Sequence, residues 1–261
     1  MSINNFIVEA RGHVLLMGLN RPEKRNALTV EMFKEMAHAY GELHRNPDLR
    51  CGLLYAVGDH FTGGLDLPQW SELIASGKRQ WEPGMMDPYG LTEEMTCKKP
   101  VVMACQGICY TFGIELLLAS DVRIAAKGLR LAFLEVKRGI FPAAGGTVRF
   151  FREIGWGHAN RYLLTGDEMT DEEAYRLGLV QELVEPDQLF DRAFAIAERI
   201  AAAAPLGVQG SLGASRKARN YGDMTALVTV GEDVRLAASS KDAKEGLMAF
   251  KERREPFFTG E

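Results

Sequence analysis

The sequence has few cysteines, and neither they nor its histidines follow the spacing of a metal site. The four cysteines are Cys51, Cys97, Cys105 and Cys109, and none of them forms a C-x-x-C pair. The five histidines are scattered, with no pair at the spacing of zinc ligands. A chain of 261 residues can bury enough apolar surface without disulfides. We therefore expect reduced, mostly buried thiols and no bound metal.

The chain also lacks the short glycine motifs that hold nucleotides or expose a nucleophilic serine. Gly155-Trp156-Gly157 has no third glycine and follows a helical pattern, so it is not a dinucleotide fingerprint. Ser76-Gly77-Lys78 has Glu72 where a phosphate-binding loop needs its first glycine. No G-x-S-x-G elbow occurs. These absences argue against nicotinamide-dependent dehydrogenases, P-loop NTPases and serine hydrolases of the α/β class.

Long apolar runs and an excess of positive charge are absent as well. Residues 1–10 contain no basic segment followed by an apolar stretch, so they do not resemble a signal peptide, and no window approaches the length of a membrane span. The formal net charge is −4, whereas a protein that binds nucleic acid needs a dense basic face. We expect a cytoplasmic protein with no nucleic-acid partner and no membrane association.

The first half of the chain alternates short apolar strands with amphipathic helices. Residues Val14–Leu19, Leu53–Val57 and Val101–Cys105 each have the composition of a buried strand. The apolar residues after Thr29 recur at helical spacing, and so do those that follow Gly107. Strand, loop and helix repeated in this order predict an α/β fold with a largely parallel arrangement.

The second half is mainly helical. Thr170-Asp171-Glu172-Glu173 is a capping box, and a long helix is predicted from Asp187 to Ala204, stopped by Pro205. Three more helices follow, and the last of them is stopped by Pro256. We therefore divide the chain into a core, residues 1–200, and a C-terminal helical region, residues 201–261.

Two of the predicted strands end in glycine-containing loops that lead into helices. One is the loop at residues 58–64, and the other begins at Gly107. In parallel α/β sheets such loops open on the edge where ligands bind. Backbone amides exposed there can stabilise a developing negative charge. Two ordinary strand-to-helix turns would explain the same pattern, and the loops alone do not decide between these interpretations.

A series of motifs, in order and over nearly the whole chain, resembles the crotonase, or enoyl-CoA hydratase/isomerase, family. The matching segments are Pro22-Glu23-Lys24-Arg25-Asn26-Ala27-Leu28, Phe61-Thr62-Gly63-Gly64-Leu65-Asp66-Leu67, Lys99-Pro100-Val101-Val102-Met103-Ala104, Gly113-Ile114-Glu115-Leu116, Asp121-Val122-Arg123-Ile124-Ala125, Glu135-Val136-Lys137-Arg138-Gly139 and Gly178-Leu179-Val180. Each motif is weak by itself, but together they are specific.

The resemblance implies a fold and a class of substrate. The expected fold is a crotonase-like spiral of β-β-α turns, which binds acyl-CoA, with a C-terminal helical oligomerisation region that builds a homotrimer or hexamer. The substrate would be an acyl-CoA thioester, and no separate cofactor would be needed because coenzyme A is part of the substrate.

The resemblance also implies the site residues. The family's oxyanion hole corresponds to the backbone amides of Leu65 and Phe112, and its two catalytic glutamates correspond to Glu115 and Glu135. Both carboxylates would move protons during addition of water to a double bond. The residues expected to contact substrate are Lys24, Arg25, Ala27, Gly63, Gly64, Leu65, Asp66, Leu67 and Gly113.

Two features set this sequence apart from the family pattern or extend it. Thr111 and Phe112 stand where hydratases of the family usually carry glycine, and we expect the Phe112 ring to border the acyl pocket. Four residues of the family's variable helical region are candidates for the same pocket: Trp81, Met85, Met86 and Tyr89.

The expected activity is hydration of a 2-enoyl-CoA, and two alternatives remain. The first is a double-bond isomerase of the same family, which can work with one carboxylate. The second, of a different class, is a non-catalytic homologue that binds acyl-CoA or RNA. The presence of both glutamates favours hydration, and the negative net charge disfavours RNA binding.

Overall fold

A computed structural model describes residues 5–77 and 81–261. Nine strands lie in these ranges and form two sheets: β1 Phe6–Arg11, β2 Val14–Leu19, β3 Cys51–Ala56, β4 Val101–Cys105, β5 Ile108–Tyr110, β6 Val122–Ala126, β7 Arg130–Ala132, β8 Met169–Thr170 and β9 Glu182–Val184. The larger sheet has the order β1-β2-β3-β4-β6-β9, and the smaller one has the order β5-β7-β8. From β2 to β9 the larger sheet is parallel, as the sequence predicts.

Ten α-helices accompany the strands in the described ranges: α1 Val30–Arg45, α2 Leu67–Ser76, α3 Phe112–Ala119, α4 Gly146–Ile154, α5 Trp156–Thr165, α6 Asp171–Arg176, α7 Leu189–Ala202, α8 Pro205–Tyr221, α9 Asp223–Ala238 and α10 Lys241–Glu252. The chain runs β4, β5, α3 and then β6, β7, so that successive strands of each pair enter different sheets. This is the predicted β-β-α spiral.

The larger sheet separates two apolar cores. Along β2, Val14 and Leu16 enter one core, while Leu15 and Met17 enter the other. This alternation follows from the two-residue period of side chains along a strand. The first core is closed by α7, whose small residues Ala193, Ala197 and Ala201 allow close approach to the sheet, and the second core is closed mainly by α1 and α3. A sheet buried on both faces explains why its strands are apolar without interruption.

Two helices, α1 and α6, begin where the sequence predicts, and a threonine side chain caps each of them. Thr29 Oγ1 accepts a hydrogen bond from the Met32 amide at the start of α1, and Thr170 Oγ1 accepts one from the Glu173 amide at the start of α6. Such a cap stabilises a helix by about 1 kcal/mol. The predicted helix at 187–204 is shorter than expected, because a 3-10 turn precedes α7 and Pro205 begins α8. Proline is well tolerated in the first turn, where its missing N–H is not needed.

An ion pair ties the C-terminal helices to the sheet. Arg216 of α8 donates to both oxygens of Asp121 over 2.9 Å. Asp121 also accepts the amide of Val101 at the start of β4 over 2.9 Å. Both side chains are largely shielded from solvent, with 17% and 13% exposed. The region after residue 200 is therefore anchored to the centre of the molecule.

Among the described residues, no helix is both long enough and apolar enough to cross a membrane.

Candidate active site

One cavity of about 620 Å³ is lined by the predicted catalytic and oxyanion-hole residues. Glu115, Glu135, Leu65 and Phe112 all line it. The cavity lies where the loop after β3 meets the start of α3. Residue pairing joins these two segments, because Thr62 forms a parallel bridge with Cys109 and its carbonyl accepts the Tyr110 amide over 3.1 Å. The two predicted loops thus open on one site.

Glu115 is held in place by backbone amides. It belongs to the first turn of α3 and is only 4% exposed. Its Oε1 accepts hydrogen bonds from the amide of Ala144 over 2.6 Å and from that of Gly146 over 3.0 Å. Two amide donors on one oxygen stabilise a negatively charged carboxylate. The arrangement suits a group that accepts a proton.

Glu135 has a different environment. It begins a short 3-10 helix, Glu135–Arg138, and is 8% exposed. Its Oε2 has no hydrogen-bond partner among the described residues. The pKa of Glu135 is raised to about 7, mainly by burial and also by the nearby Glu115 carboxylate, although a hydrogen bond from its own backbone and the Arg138 cation act in the opposite direction. A carboxyl group with this pKa carries a proton near neutral pH and can donate it.

The amides of Leu65 and Phe112 are free to meet a ligand. Within residues 5–77 and 81–261, neither donates to a protein acceptor. Gly64, which precedes Leu65, has φ +114°, a value that favours glycine. The Gly64 amide donates to Thr62 Oγ1 over 3.1 Å, which fixes the turn that presents the Leu65 amide.

Thr111 turns the chain before the second amide. It has φ 53° and ψ −117°, an unusual conformation for a β-branched residue. Its amide donates to the Ala132 carbonyl over 2.9 Å, so the second sheet supports the strained residue. Phe112 follows as the first residue of α3, where the amides of a helix have no partner within the helix. The favourable end of the helix dipole therefore points toward the cavity.

Six of the residues expected to contact substrate do not line the cavity: Lys24, Arg25, Ala27, Gly64, Asp66 and Gly113. Lys24 and Arg25 are exposed on the neighbouring loop, and the Arg25 carbonyl accepts the Gly63 amide over 2.7 Å. Asp66 is engaged by Arg21, whose Nη1 lies 2.7 Å from Asp66 Oδ2. Gly113 is a packing residue, because a Cβ there would come within 2.5 Å of Thr62 Cγ2. Gly63, Leu65 and Leu67 do line the cavity.

Several cavity residues were not predicted. Phe33, Trp70 and Leu73 come from α1 and α2, and Ile140 and Phe141 from the loop before α4. A helical period correctly places Phe33 on the inner face of α1, but it cannot distinguish core from cavity. Of the four candidates from residues 81–89, Tyr89 lines the cavity, whereas Trp81, Met85 and Met86 do not. Both methionines are buried, and the Trp81 ring lies 5.9 Å from that of Phe33. Residues 81–100 form turns here rather than the expected helix.

The described residues contain no group of three or more His, Cys, Asp and Glu side chains that could hold a metal ion. The cavity presents one carboxylate that accepts two backbone amides, one carboxyl group with a raised pKa, and two amides without a protein acceptor among the described residues.

Comparison with known proteins identifies the family of the chain. The model of the enoyl-CoA hydratase/isomerase family matches residues 9–261. The chain is 33% identical to the enoyl-CoA hydratase EchA19 of Mycobacterium tuberculosis over 258 residues, which cover 97% of this chain and 95% of that protein. It is 32% identical to the short-chain-enoyl-CoA hydratase of Clostridium acetobutylicum, with 97% of each chain covered.

Solved structures show the same likeness. The crystal structure of a probable enoyl-CoA hydratase/isomerase from Mycobacterium abscessus has a TM-score of 0.95 and 41% identity, with 99% of both chains covered. An enoyl-CoA hydratase structure from Mycobacterium tuberculosis has a TM-score of 0.88 and 32% identity, covering 98% of this chain and 99% of that one. The resemblance seen in the sequence motifs is thus confirmed: the chain belongs to the enoyl-CoA hydratase/isomerase family.

Proposed function

We propose that the protein is an enoyl-CoA hydratase, which adds water across the double bond of a 2-enoyl-CoA thioester. The observation that carries the proposal is the pair Glu115 and Glu135 on one cavity, with environments that favour opposite protonation states. Full-length relatives named as enoyl-CoA hydratases support it.

The contrast between the two glutamates supports a different role for each. The Glu115 carboxylate takes a proton from water as the water oxygen bonds to the β-carbon. Electrons of the double bond move toward the thioester, whose oxygen becomes an enolate oxygen. Glu135 then delivers its proton to the α-carbon, and the carbonyl re-forms. One proton enters and one leaves the pair of carboxyl groups, so a proton transfer between them or with solvent resets the site.

The amides of Leu65 and Phe112 would donate to the enolate oxygen. They come from different segments, and each is fixed by neighbouring hydrogen bonds, so no reorganisation is needed when charge develops. One donor of this kind typically contributes about 3 kcal/mol to transition-state stabilisation. Gly63, Leu65 and Leu67 would contact the substrate, and Gly64 would position the Leu65 amide.

Coenzyme A would lie along the loop that precedes the site. Lys24 and Arg25 are exposed there, beside Gly63 at the cavity. Their cations would meet phosphate groups outside the cavity, while Ala27 and Asp66 would shape the loop rather than touch the reacting atoms. No further cofactor is required by this chemistry.

A double-bond isomerase is the second candidate, and one observation favours it. Glu135 has an unpaired oxygen and a pKa raised to about 7, so it can take a proton from one carbon and return it to another. Isomerisation would therefore survive Glu115→Gln, whereas hydration would not. A non-catalytic role in binding acyl-CoA or RNA does not explain two buried carboxyl groups on one cavity.

The experiment is an absorbance assay that follows loss of the conjugated double bond in a panel of 2-enoyl-CoA thioesters. We expect turnover by the wild type, with 3-hydroxyacyl-CoA as the product identified by mass. Glu115→Gln is the control for hydration catalysed by contaminants. A folded wild type that hydrates no member of the panel contradicts the proposal, and a product of unchanged mass supports isomerisation.

We also propose that the chain assembles as a homotrimer or hexamer in the cytoplasm, without a nucleic-acid or membrane partner. Large apolar side chains exposed on α9 and α10 support self-association: Met224, Leu227, Val228, Val234, Leu236, Leu247 and Phe250. The four cysteines are free and buried, which suits a reducing compartment.

A further inference from the structure

Part of the cavity lining is apolar and rich in aromatic rings. Phe33, Trp70 and Tyr89 belong to this part, together with Val30, Leu73 and Ile74. We call the three aromatic residues the aromatic wall. The whole cavity, including the part at the two glutamates, has a volume of about 620 Å³, which lies within the range for ligands of drug size.

The rings of the aromatic wall are fixed against one another. Phe33 and Tyr89 stack, with centroids 6.0 Å apart and planes at 23°. Phe33 meets Trp70 edge to face, at 5.5 Å and 83°. The three rings of the wall are therefore held in defined orientations relative to one another.

Hydrogen bonds anchor the wall as well. Trp70 Nε1 donates to the Leu28 carbonyl over 2.8 Å. Arg149 donates to the carbonyls of Tyr89 and Gly90 over 2.6 Å and 2.7 Å. A wall held in this way is preorganised, and binding costs little ordering of side chains.

Charge near the wall is neutralised. Lys34 lines the cavity, but its Nζ lies 2.6 Å from Glu82 Oε1. The other cation among the described lining residues, Arg138, is exposed to solvent and acts electrostatically on Glu135. Within residues 5–77 and 81–261, the cavity lining therefore offers no unpaired cation beside the wall for a second carboxylate on the substrate, and a polar acyl tail would lose hydration without compensation.

We propose that the acyl groups this protein accepts are large, apolar and carry an aromatic ring; this inference rests on the proposed function. A substrate ring gains the directional contacts of aromatic pairs in addition to buried area. A linear chain of equal carbon number must also fix each of its rotatable bonds. Both effects favour the ring.

The test compares two thioesters with the same number of carbons, 5-phenyl-2-pentenoyl-CoA and linear 2-undecenoyl-CoA. The phenyl ring is not conjugated with the double bond, so the reacting groups have equal intrinsic reactivity. We expect kcat/KM for the phenyl substrate to exceed that for the linear one by about tenfold or more. Crotonyl-CoA should be poorer than both. Equal values, or a preference for the linear or the four-carbon substrate, overturn the inference.

A variant pair assigns the preference to the wall. Phe33→Leu keeps an apolar side chain but removes the ring, and it should lower the phenyl-to-linear ratio at least several-fold. Phe151→Leu is the matched control, because Phe151 also pairs edge to face with a tryptophan, at 5.7 Å from Trp156, outside the cavity. It should leave the ratio unchanged. An unchanged ratio in a folded Phe33→Leu protein contradicts the assignment.

Binding separates this inference from the proposed function. Calorimetry with the saturated thioesters 5-phenylpentanoyl-CoA and undecanoyl-CoA needs no turnover. Tighter binding of the phenyl compound without any hydration would support the aromatic wall and refute the hydratase. Hydration with no preference in either assay would refute the wall and leave the hydratase standing.

Discussion

The Gly146 amide donates to Glu115 Oε1 over 3.0 Å, and a Cβ on residue 146 would lie only 3.1 Å from that same oxygen. The Cβ would also come within 2.9 Å of the Phe133 ring and of Pro142. The absence of a side chain at Gly146 is therefore what allows its amide to reach the carboxylate.

Gly146→Ala is predicted to lower kcat by about tenfold or more, because the added methyl must displace the donor or the carboxylate. The overpacking should also cost about 1–3 kcal/mol in the free energy of unfolding. Gly157→Ala in α5 is the control, since a Cβ there meets no atom within 4 Å. It should keep full activity and gain stability. Unchanged kcat in Gly146→Ala would show that this amide does not matter.

Replacing either glutamate tests the division of roles. Glu115→Gln and Glu135→Gln should each lower kcat about a hundredfold or more, as expected for a positioned base or acid. The double variant should be little worse than the more damaged single one, because the two groups act as a unit. Stopped-flow absorbance gives the rates, and circular dichroism checks the fold. Additive losses would mean that the two residues act in separate steps.

The pKa of Glu135, raised to about 7, predicts a pH dependence with a definite sign. If Glu135 is the acid, its protonated form is active, so kcat/KM should fall as the pH rises through about 7. Arg138 lowers this pKa, and Arg138→Gln should move the fall to higher pH. Activity measured from pH 6 to pH 9 checks both. A rate that increases through pH 7 would make Glu135 the base.

Phe112→Ala should change the acyl-length profile more than the chemistry. Phe112 is 2% exposed and is one of the residues that line the cavity, while the candidate donor is its backbone amide, which the substitution retains. We expect longer acyl groups to gain in kcat/KM relative to short ones, with kcat for a short substrate changing by less than about tenfold. The measurement uses short and long 2-enoyl thioesters with both proteins. An identical profile would exclude the ring from the acyl pocket.

Self-association should depend on apolar side chains that are exposed to solvent in a single chain. Phe250 is 82% exposed and Leu247 is 56% exposed, so neither packs against its own core. Phe250→Ser should therefore leave the free energy of unfolding of a single chain within about 0.5 kcal/mol while weakening self-association. Light scattering at micromolar concentration measures the mass. A wild-type protein that is already monomeric there would refute the proposed trimer or hexamer.

The sequence predicts the parallel strands well and the site only in part. Val101–Cys105 was predicted with its observed bounds, because a strand buried on both faces has a continuous apolar run. Glu115 and Glu135 were predicted as catalytic residues because they lie in the ordered series of motifs that resembles the family. In contrast, Asp66 forms an ion pair with Arg21, which lies 45 residues earlier in the chain. No local sequence pattern predicts such a pair. Phe33, Trp70 and Tyr89 likewise meet only through tertiary packing.

The backbone conformation of Thr111 could not be predicted from the residue type either. A β-branched residue at φ 53° contradicts backbone preference, and only the bond to Ala132 and the surrounding packing make it possible. Departures of this kind at functional sites are what propensity rules fail to predict.

The ion pair between Arg216 and Asp121 joins groups 95 residues apart in the chain. During synthesis, the sheet strands around Asp121 leave the ribosome well before their counter-charge does. Before α8 has been synthesised and has docked, the Asp121 carboxylate has no cation to pair with and stays hydrated. The start of β4 therefore remains in contact with water until then. A fragment that ends at residue 200 should therefore leave Asp121, at the starts of β4 and β6, without its ion-pair partner, and we expect docking of the C-terminal helices to be a late step of folding.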